Sequence, residues 1–448
     1  MNIKEKIKFF NYLAEDFDSR DYPPIMLWKS IQRQRIEEGW KQRVKEISSG
    51  EADAPGLYIH IPYCQTKCFF CQFKVLAGTD PEMHSRYLEC LKNEMKRMSP
   101  LVKKLSFKTF YLAGGTPTIF SAEQLEDLFN TAEKRFNLSQ TVQRLIEATP
   151  ATLSLKKLRV LKKYGFNRIT IGVEVIDKKM LHAINRQHQT EKMVKDSFEQ
   201  ARQAGIEFIN TDLIAGLPGQ SIDSFLYGVR FILKMRPDAI HIFTYREEEL
   251  VIFCRIGKRI TDKDRLRKEK MLALAEKMIR KAGYGFGSNE PYLLTPDAAN
   301  FQLQYRYQYN VTLLGLGALA LSFIPNHHVY HNAQIEDYLK FWPEDKATPF
   351  FTGYPISRAE TRLNYVLNNI RNGLDKEQFF RLYGVQFDKT YQKEIEDLKR
   401  INRIKNDSEK VKLITKNDFE FRSYSKFFFG SRVIKELQAK IKIKPSEI

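Results

Sequence analysis

Between residues 57 and 245, short apolar, β-branched and aromatic runs alternate with longer amphipathic stretches, the pattern of repeated βα units. Six strands are predicted: LYIHI (57–61), FKTFYLA (107–113), QRLIEA (143–148), RITIGVE (168–174), EFINTDLI (207–214) and AIHIFTY (239–245). Helical patterns fill the intervals. In SAEQLEDLFNTAEKRF (121–136), Ser121 is placed to cap the helix, Glu123 and Gln124 fall in its first turn, and Leu125, Leu128 and Phe129 recur at helical spacing. Six units are too few for a closed eight-fold barrel. Parallel strands joined by helices nonetheless carry their reactive residues at the carboxyl ends. Cys64 follows the first strand, GGTPT (114–118) follows the second, Glu147 ends the third, Glu174 ends the fourth, and Asp212 lies near the end of the fifth, beside GLPGQ (216–220). All five are expected to converge on one face.

After Tyr245 the alternation stops. A lysine-rich helix (263–282) leads to YGFGS and then to LLGLGALALSFI, an apolar run of 12 residues, short of the roughly 18 needed to cross a bilayer. From about residue 356, three helical patterns, a probable hairpin (VKLITKNDFEF) and a last helix follow in the order of a small winged-helix-like domain. Such domains bind DNA or merely cover an active site. The resulting division is a leader (1–55), a partial (β/α)6 barrel (56–250), a barrel extension and substrate-side cover (251–350), and a mostly helical carboxyl domain (351–448).

Composition alters this picture little. Lys and Arg number 73 against 54 Asp and Glu, a formal +19, but the excess is spread along the chain with modest enrichment after residue 351. No basic arm or arginine-rich recognition helix stands out, so nucleic acid is not the expected partner. The amino-terminal sequence MNIKEKIKFFNYL lacks a signal peptide's apolar run, and the five cysteines are odd in number. A soluble protein of a reducing, cytoplasmic compartment is expected.

Three of those cysteines, Cys64, Cys68 and Cys71, share the loop HIPYCQTKCFFCQF. Thiolates spaced C-x3-C-x2-C can turn inward on one iron–sulfur cubane and leave its fourth iron open. Structural zinc is the alternative, with His60, Cys90 or Cys254 as fourth ligand.

YIHIPYCQTKCFFCQF resembles the cluster loop of radical S-adenosylmethionine (SAM) enzymes, specifically of the oxygen-independent coproporphyrinogen III oxidase family, whose pattern runs Y-x-H-I-P-F-C-x3-C-x-F/Y-C. GGTPT, IEATP, GFNRITIGVE, NTDLIAGLPGQ and GLGALALS continue the resemblance in order and spacing over roughly residues 57–440. The resemblance implies that Cys64, Cys68 and Cys71 bind a [4Fe-4S] cluster whose open iron takes SAM. It implies SAM contacts from Tyr58 and Phe70 beside the cluster and from Gly114, Gly115 and Thr116, with Tyr58 the candidate catalytic residue. The glycines suit close approach of backbone to a ligand. Glu147 and Asp212 would meet a ribose hydroxyl or an ammonium, since unpaired charges on buried strands are costly. Glu174 stands where the family usually has glutamine, and Arg186 lies 12 residues beyond it; spacing alone also permits a surface arginine. Arg246 and Leu321 correspond to residues near substrate or a second SAM. An external donor such as flavodoxin or ferredoxin would supply the electron.

The departures leave the reaction open. The oxidases carry a fourth cysteine just after the cluster loop, where Gln72 and Phe73 stand here, and the heme-chaperone branch reads C-D-F and lacks the leader. Three functions follow. The first is hydrogen abstraction from a tetrapyrrole, as in oxidative decarboxylation of coproporphyrinogen III propionates. The second is methyl transfer using two SAM molecules, including onto heme, and the third is heme delivery. Heme carriage needs an axial ligand, for which His327, His328 and His331 are the candidates.

Overall fold

The computed structural model describes residues 2–16, 22–245, 261–286, 291–301, 310–342, 351–416 and 418–441. The six predicted strands form at Gly56–Ile61, Thr109–Gly114, Gln143–Ala148, Arg168–Glu174, Phe208–Ala215 and Ala239–Thr244. They pair in parallel in chain order. The helix Ala122–Arg135 begins with a full capping box: the Gln124 N–H donates to Ser121 Oγ at 3.1 Å, and the Ser121 N–H donates to Gln124 Oε1 at 2.9 Å. A cap of this kind stabilises a helix by about 1 kcal/mol.

Alternation along these strands decides what the sheet encloses. Ile59, Ile61, Leu112, Ile146, Ile169, Ile171 and Ile209 point outward, into a core with Leu125, Phe129, Leu158, Val194 and Phe198 of the helices. The other face carries Tyr58, His60, Tyr111, Glu147, Thr170, Asp212 and His241. A parallel sheet packed on both faces would read as continuous apolar runs; the polar inner row identifies a cavity wall instead.

GLGALALS could have been a strand or a helix. It is strand, turn and strand. Leu313–Leu316 adds a seventh parallel strand beside Gly56–Ile61, and Leu321–Ile324 returns antiparallel. Gly315 permits this pairing, since a Cβ there would stand 2.2 Å from the Leu321 carbonyl oxygen, and Gly317 makes the turn at φ 99°. The antiparallel strands His328–His331, Phe351–Pro355 and Lys29–Ile31 extend this edge, and Tyr292–Leu293 and Gly285–Phe286 extend the other, giving a sheet of 13 strands among the described residues. Residues 351–355, grouped above with the carboxyl domain, and 29–31, from the leader, are therefore strands of the main sheet.

The leader also contributes helices Ile3–Asp16 and Arg33–Ser48. The second packs against the sheet, where Trp40 Nε1 donates to Tyr330 Oη at 2.9 Å. The first buries Phe9, Phe10 and Leu13 with Phe421, Phe427 and Phe428 of the carboxyl region. That region follows the winged-helix order: a helix (Arg358–Asn369), a short strand (Leu374–Asp375), helices to Arg400, and a hairpin (Ile404–Asn406, Lys410–Leu413), the three strands forming a small antiparallel sheet. Lys6 of the first helix also pairs with Asp397 of the helix Gln392–Arg400 at 2.5 Å. No described helix is long and apolar enough to cross a membrane.

Candidate active site

The cysteine loop is tied down from below. The Phe69 N–H donates to the Ile184 carbonyl at 3.1 Å, and Asn185 Nδ2 donates to the Lys67 carbonyl at 3.0 Å. Phe69 and Phe70 pack with Val175, Ile184, Leu217 and Tyr245, which screens the loop from water on that side. Cys64, Cys68 and Cys71 are each half-buried, whereas Cys90 lies in the apolar core, out of reach as a fourth ligand. His60 bonds Tyr58 Oη through Nδ1 at 2.7 Å and keeps a buried Nε2 without a hydrogen bond, and Cys254 lies outside the described residues. Among the described residues, no three His, Cys, Asp or Glu side chains close around a single metal ion. Three half-buried thiols on one loop are the donor set of a [4Fe-4S] cluster with one open iron, and they fit that group. Burial pushes the Cys64 thiol up to about 11 against a hydrogen bond with Thr116, and it raises Cys71 as well. Cys64 and Cys71 keep their protons until a bound cation replaces them.

Gly114 and Gly115 have a packing reason that the sequence did not reveal. A Cβ at Gly114, where φ is 114°, would lie 2.7 Å from the His60 ring, and one at Gly115 would lie 2.5 Å from the Tyr63 carbonyl oxygen. The chain crosses itself here: the Gly115 and Thr116 N–H groups donate to the carbonyls of Ile61 and Tyr63, both at 2.7 Å. This crossing sets Thr116 Oγ1 3.4 Å from Cys64 Sγ.

Across the cavity stand the three carboxylates. Glu147 accepts from Tyr111 Oη. Glu174 sits on a bulge at φ 66°, where the pairing register shifts after Gly172. The bulge turns its carboxylate over Gly172, at which a Cβ would meet Glu174 Oε1 at 2.8 Å. Burial, then mutual repulsion, raises Asp212 well above the usual carboxylate range. Glu147 is pushed up to about 7 by burial, against the Tyr111 hydrogen bond and with Glu174 adding to the rise. Glu174 is raised by burial, although Arg186 opposes it.

Arg186 is not a surface arginine. It is 7% exposed. Its Nη1 donates to the Gly172 carbonyl at 2.6 Å and to Gln189 Oε1 at 3.3 Å, its Nε donates to Cys68 Sγ at 3.2 Å, and its Nη2 lies 3.9 Å from Glu174. Gln189, which the sequence reading passed over, is buried and holds the bulge by donating to the Val173 and Val175 carbonyls at 2.9 Å each. Its signal was only its place three residues beyond Arg186, in the turn before the helix Glu191–Gln203. Arg186 is the one guanidinium beside three half-buried carboxyls, whose raised affinities for a proton a cationic ligand would lower.

Tyr58 is half-buried, its ring 5.6 Å from that of Tyr111. Burial and the nearby His331 depress His60 to about 3, so its imidazole stays neutral. Leu321 pairs with His331 across the sheet and is partly buried with Tyr58. Phe70 lies 6.0 Å beneath the Arg186 guanidinium, and Arg246 lies outside the described residues. The histidines do not form one group. His328 packs on Gly39 of the leader helix and His327 pairs with Glu46 at 3.2 Å. His331, three positions beyond His328 and so on the opposite face, approaches Trp28 and donates from Nδ1 to the Leu319 carbonyl at 2.8 Å.

An open α/β barrel with a three-cysteine loop after its first strand defines a radical SAM protein, and the family model for the "Radical SAM superfamily" matches residues 58–232. The chain is 26% identical over 318 residues to an oxygen-independent coproporphyrinogen III oxidase of Salmonella typhimurium, covering 68% of each protein. It is 28% identical over 364 residues to the heme chaperone HemW of Bacillus subtilis, covering 80% of this chain and 94% of that one. The solved coproporphyrinogen III oxidase from Escherichia coli superposes with a TM-score of 0.77 at 21% identity, over 92% of this chain and 99% of that one. Residues 58–232 match the radical SAM superfamily, and the chain is similar, at 26–28% identity, to the oxygen-independent coproporphyrinogen III oxidases and the heme chaperones. That match implies a [4Fe-4S] cluster and SAM, with which Cys64, Cys68 and Cys71 are consistent.

Proposed function

We propose that this chain is a radical SAM enzyme acting on a tetrapyrrole, with hydrogen abstraction leading to oxidative decarboxylation of a propionate or a related modification. The observation that carries this reading is the meeting of three half-buried cysteines with three half-buried carboxyls and one buried arginine at a single end of the barrel. Cys64, Cys68 and Cys71 would hold the cluster. SAM would be bound by Tyr58, Phe70, Gly114, Gly115, Thr116, Glu147, Glu174, Arg186 and Asp212, with Arg246 and Leu321 toward substrate or a second SAM. When bound, this pair supplies a 5'-deoxyadenosyl radical able to take hydrogen from an unactivated carbon.

The protein's part is binding, orientation and exclusion of water. Glu147 and Asp212 offer acceptors to a ligand's ammonium or hydroxyl groups, and Arg186 Nη2 offers a donor to a carboxylate. Phe69 and Phe70 keep water from the loop. Tyr58 and the neutral His60 share one proton across 2.7 Å, which fixes the phenol at the cavity wall. The tetrapyrrole class rests on the relatives, one named for coproporphyrinogen and the other for heme. Methyl transfer remains the alternative that the altered loop after Cys71 favours.

Heme carriage is a second reading, favoured by His331. With Nδ1–H donating to the Leu319 carbonyl, Nε2 is the ring's acceptor nitrogen, the form in which histidine ligates iron. Anaerobic single-turnover incubation with reductant and SAM separates the readings. Carbon dioxide from coproporphyrinogen III with 5'-deoxyadenosine supports decarboxylation, and S-adenosylhomocysteine with either tetrapyrrole supports methyl transfer. Tight heme binding without any 5'-deoxyadenosine would overturn the enzyme reading in favour of carriage.

A further inference from the structure

We propose that Arg186 and Thr116 set the reduction potential of the cluster by donating hydrogen bonds to the sulfurs of two different ligands, Cys68 and Cys64. The inference rests on the reading that the three cysteines hold a cluster, and it assigns these residues a role beyond any contact with SAM.

The geometry is built rather than incidental. Arg186 Nε lies 3.2 Å from Cys68 Sγ, and Thr116 Oγ1 lies 3.4 Å from Cys64 Sγ. The guanidinium is clamped from its far side by the Gly172 carbonyl and Gln189 Oε1, and Gln189 is itself pinned to two main-chain carbonyls. Glu174 stays 3.9 Å from Nη2, beyond hydrogen-bond reach, and the Nε–H is directed at sulfur. Thr116 is held as firmly, because its N–H closes the chain crossing at Tyr63 and its side chain is buried.

Reduction adds one negative charge to a cluster. Donors to its sulfurs stabilise the reduced form more than the oxidised form and so raise the potential. A buried guanidinium, carrying full charge, outweighs a neutral hydroxyl. Arg186 is therefore the larger determinant and Thr116 the smaller. Gln189 acts through Arg186 as a positioning residue.

The test is an EPR-monitored titration with dithionite of the anaerobically reconstituted full chain, without SAM or substrate, for wild type, Arg186→Gln, Thr116→Val and Gln189→Leu. Each variant is expected to show a midpoint below wild type, in the order Arg186→Gln, Gln189→Leu, Thr116→Val, at unchanged iron and sulfide content. Variants that hold a full cluster and titrate at the wild-type potential would overturn the proposal. Should Arg186→Gln fail to retain its cluster, Thr116→Val decides: a lowered midpoint supports the assignment and an unchanged one ends it. No iron and sulfide in wild type would instead remove the underlying functional reading, a different and recognisable result.

Discussion

Glu94 belongs to no motif, yet it organises the GLGALALS turn. It sits on the helix Pro81–Met98 that follows the cluster loop, is 2% exposed, and accepts from the Gly317 N–H, Tyr338 Oη and Asn332 Nδ2, each at 2.7 Å. Tyr87, two helical turns earlier on the buried side, accepts the Ala318 N–H at 3.1 Å and donates to the His60 carbonyl at 2.6 Å, which links the turn to the first barrel strand. Glu94→Leu keeps the volume but strands three buried donors, at about 1–3 kcal/mol each. Asn332 keeps the Gly317 carbonyl, which lowers its share, so about 3–5 kcal/mol is expected. For a chain of this length that is a fall of about 4 °C in Tm by calorimetry. Glu94→Gln, which retains one acceptor oxygen, should fall by less than half as much. It should also remove a pH dependence. Burial pushes Glu94 up to about 7, against the hydrogen bonds it accepts. As pH rises from about 4.5 to about 7 the unfolded chain releases this proton while the folded chain keeps it, so wild type loses up to about 3 kcal/mol relative to the glutamine variant and levels off above that window. A Glu94→Leu protein with wild-type Tm, or a wild-type/glutamine difference flat from pH 5 to 7, would refute the reasoning.

Four further outcomes follow. Gly172→Ala should push Glu174 aside, since its Cβ would meet the carboxylate at 2.8 Å, and weaken SAM binding roughly tenfold by calorimetric titration while leaving iron content unchanged. Gly115→Ala presses on the Tyr63 backbone at 2.5 Å, which cannot rotate away; a loss of about 2–4 kcal/mol is expected, comparable with overpacking plus a broken main-chain bond, and a Tm within 1 °C of wild type would contradict it. Each of Cys64→Ala, Cys68→Ala and Cys71→Ala should abolish the iron–sulfur absorption, whereas Cys90→Ala should keep it. If heme binds, His331→Ala should shift its Soret band and His328→Ala should not; the reverse would put the ligand on the outer face.

The barrel strands were legible because β-branched runs and glycine-bounded loops mark strands whatever they enclose, and the carboxyl-end rule then brought Cys64, Gly114, Glu147, Glu174 and Asp212 to one end. What the sequence could not supply was face and register. His328 and His331 look like neighbours in a string, but an odd separation on a strand sends them to opposite sides of the sheet. The bulge at Glu174 has no marker beyond Gly172, and Arg186 could be told from a surface residue only by what packs around it. GLGALALS is too short for its period to choose between strand and helix. Lys29–Ile31, three residues with two of them exposed, carries no apolar pattern at all and pairs only because Phe351–Pro355 offers an edge. Glu94 and Gln189 escape motif reasoning for a common reason: each acts through groups on distant segments.

The most direct test of the account is the EPR spectrum of the reduced, anaerobically reconstituted protein before and after SAM is added. The account predicts about four irons and four sulfides per chain and a [4Fe-4S] signal whose g-values shift when SAM binds the iron without a cysteine. Zinc in place of iron, or a cluster signal that SAM leaves unmoved, would contradict it.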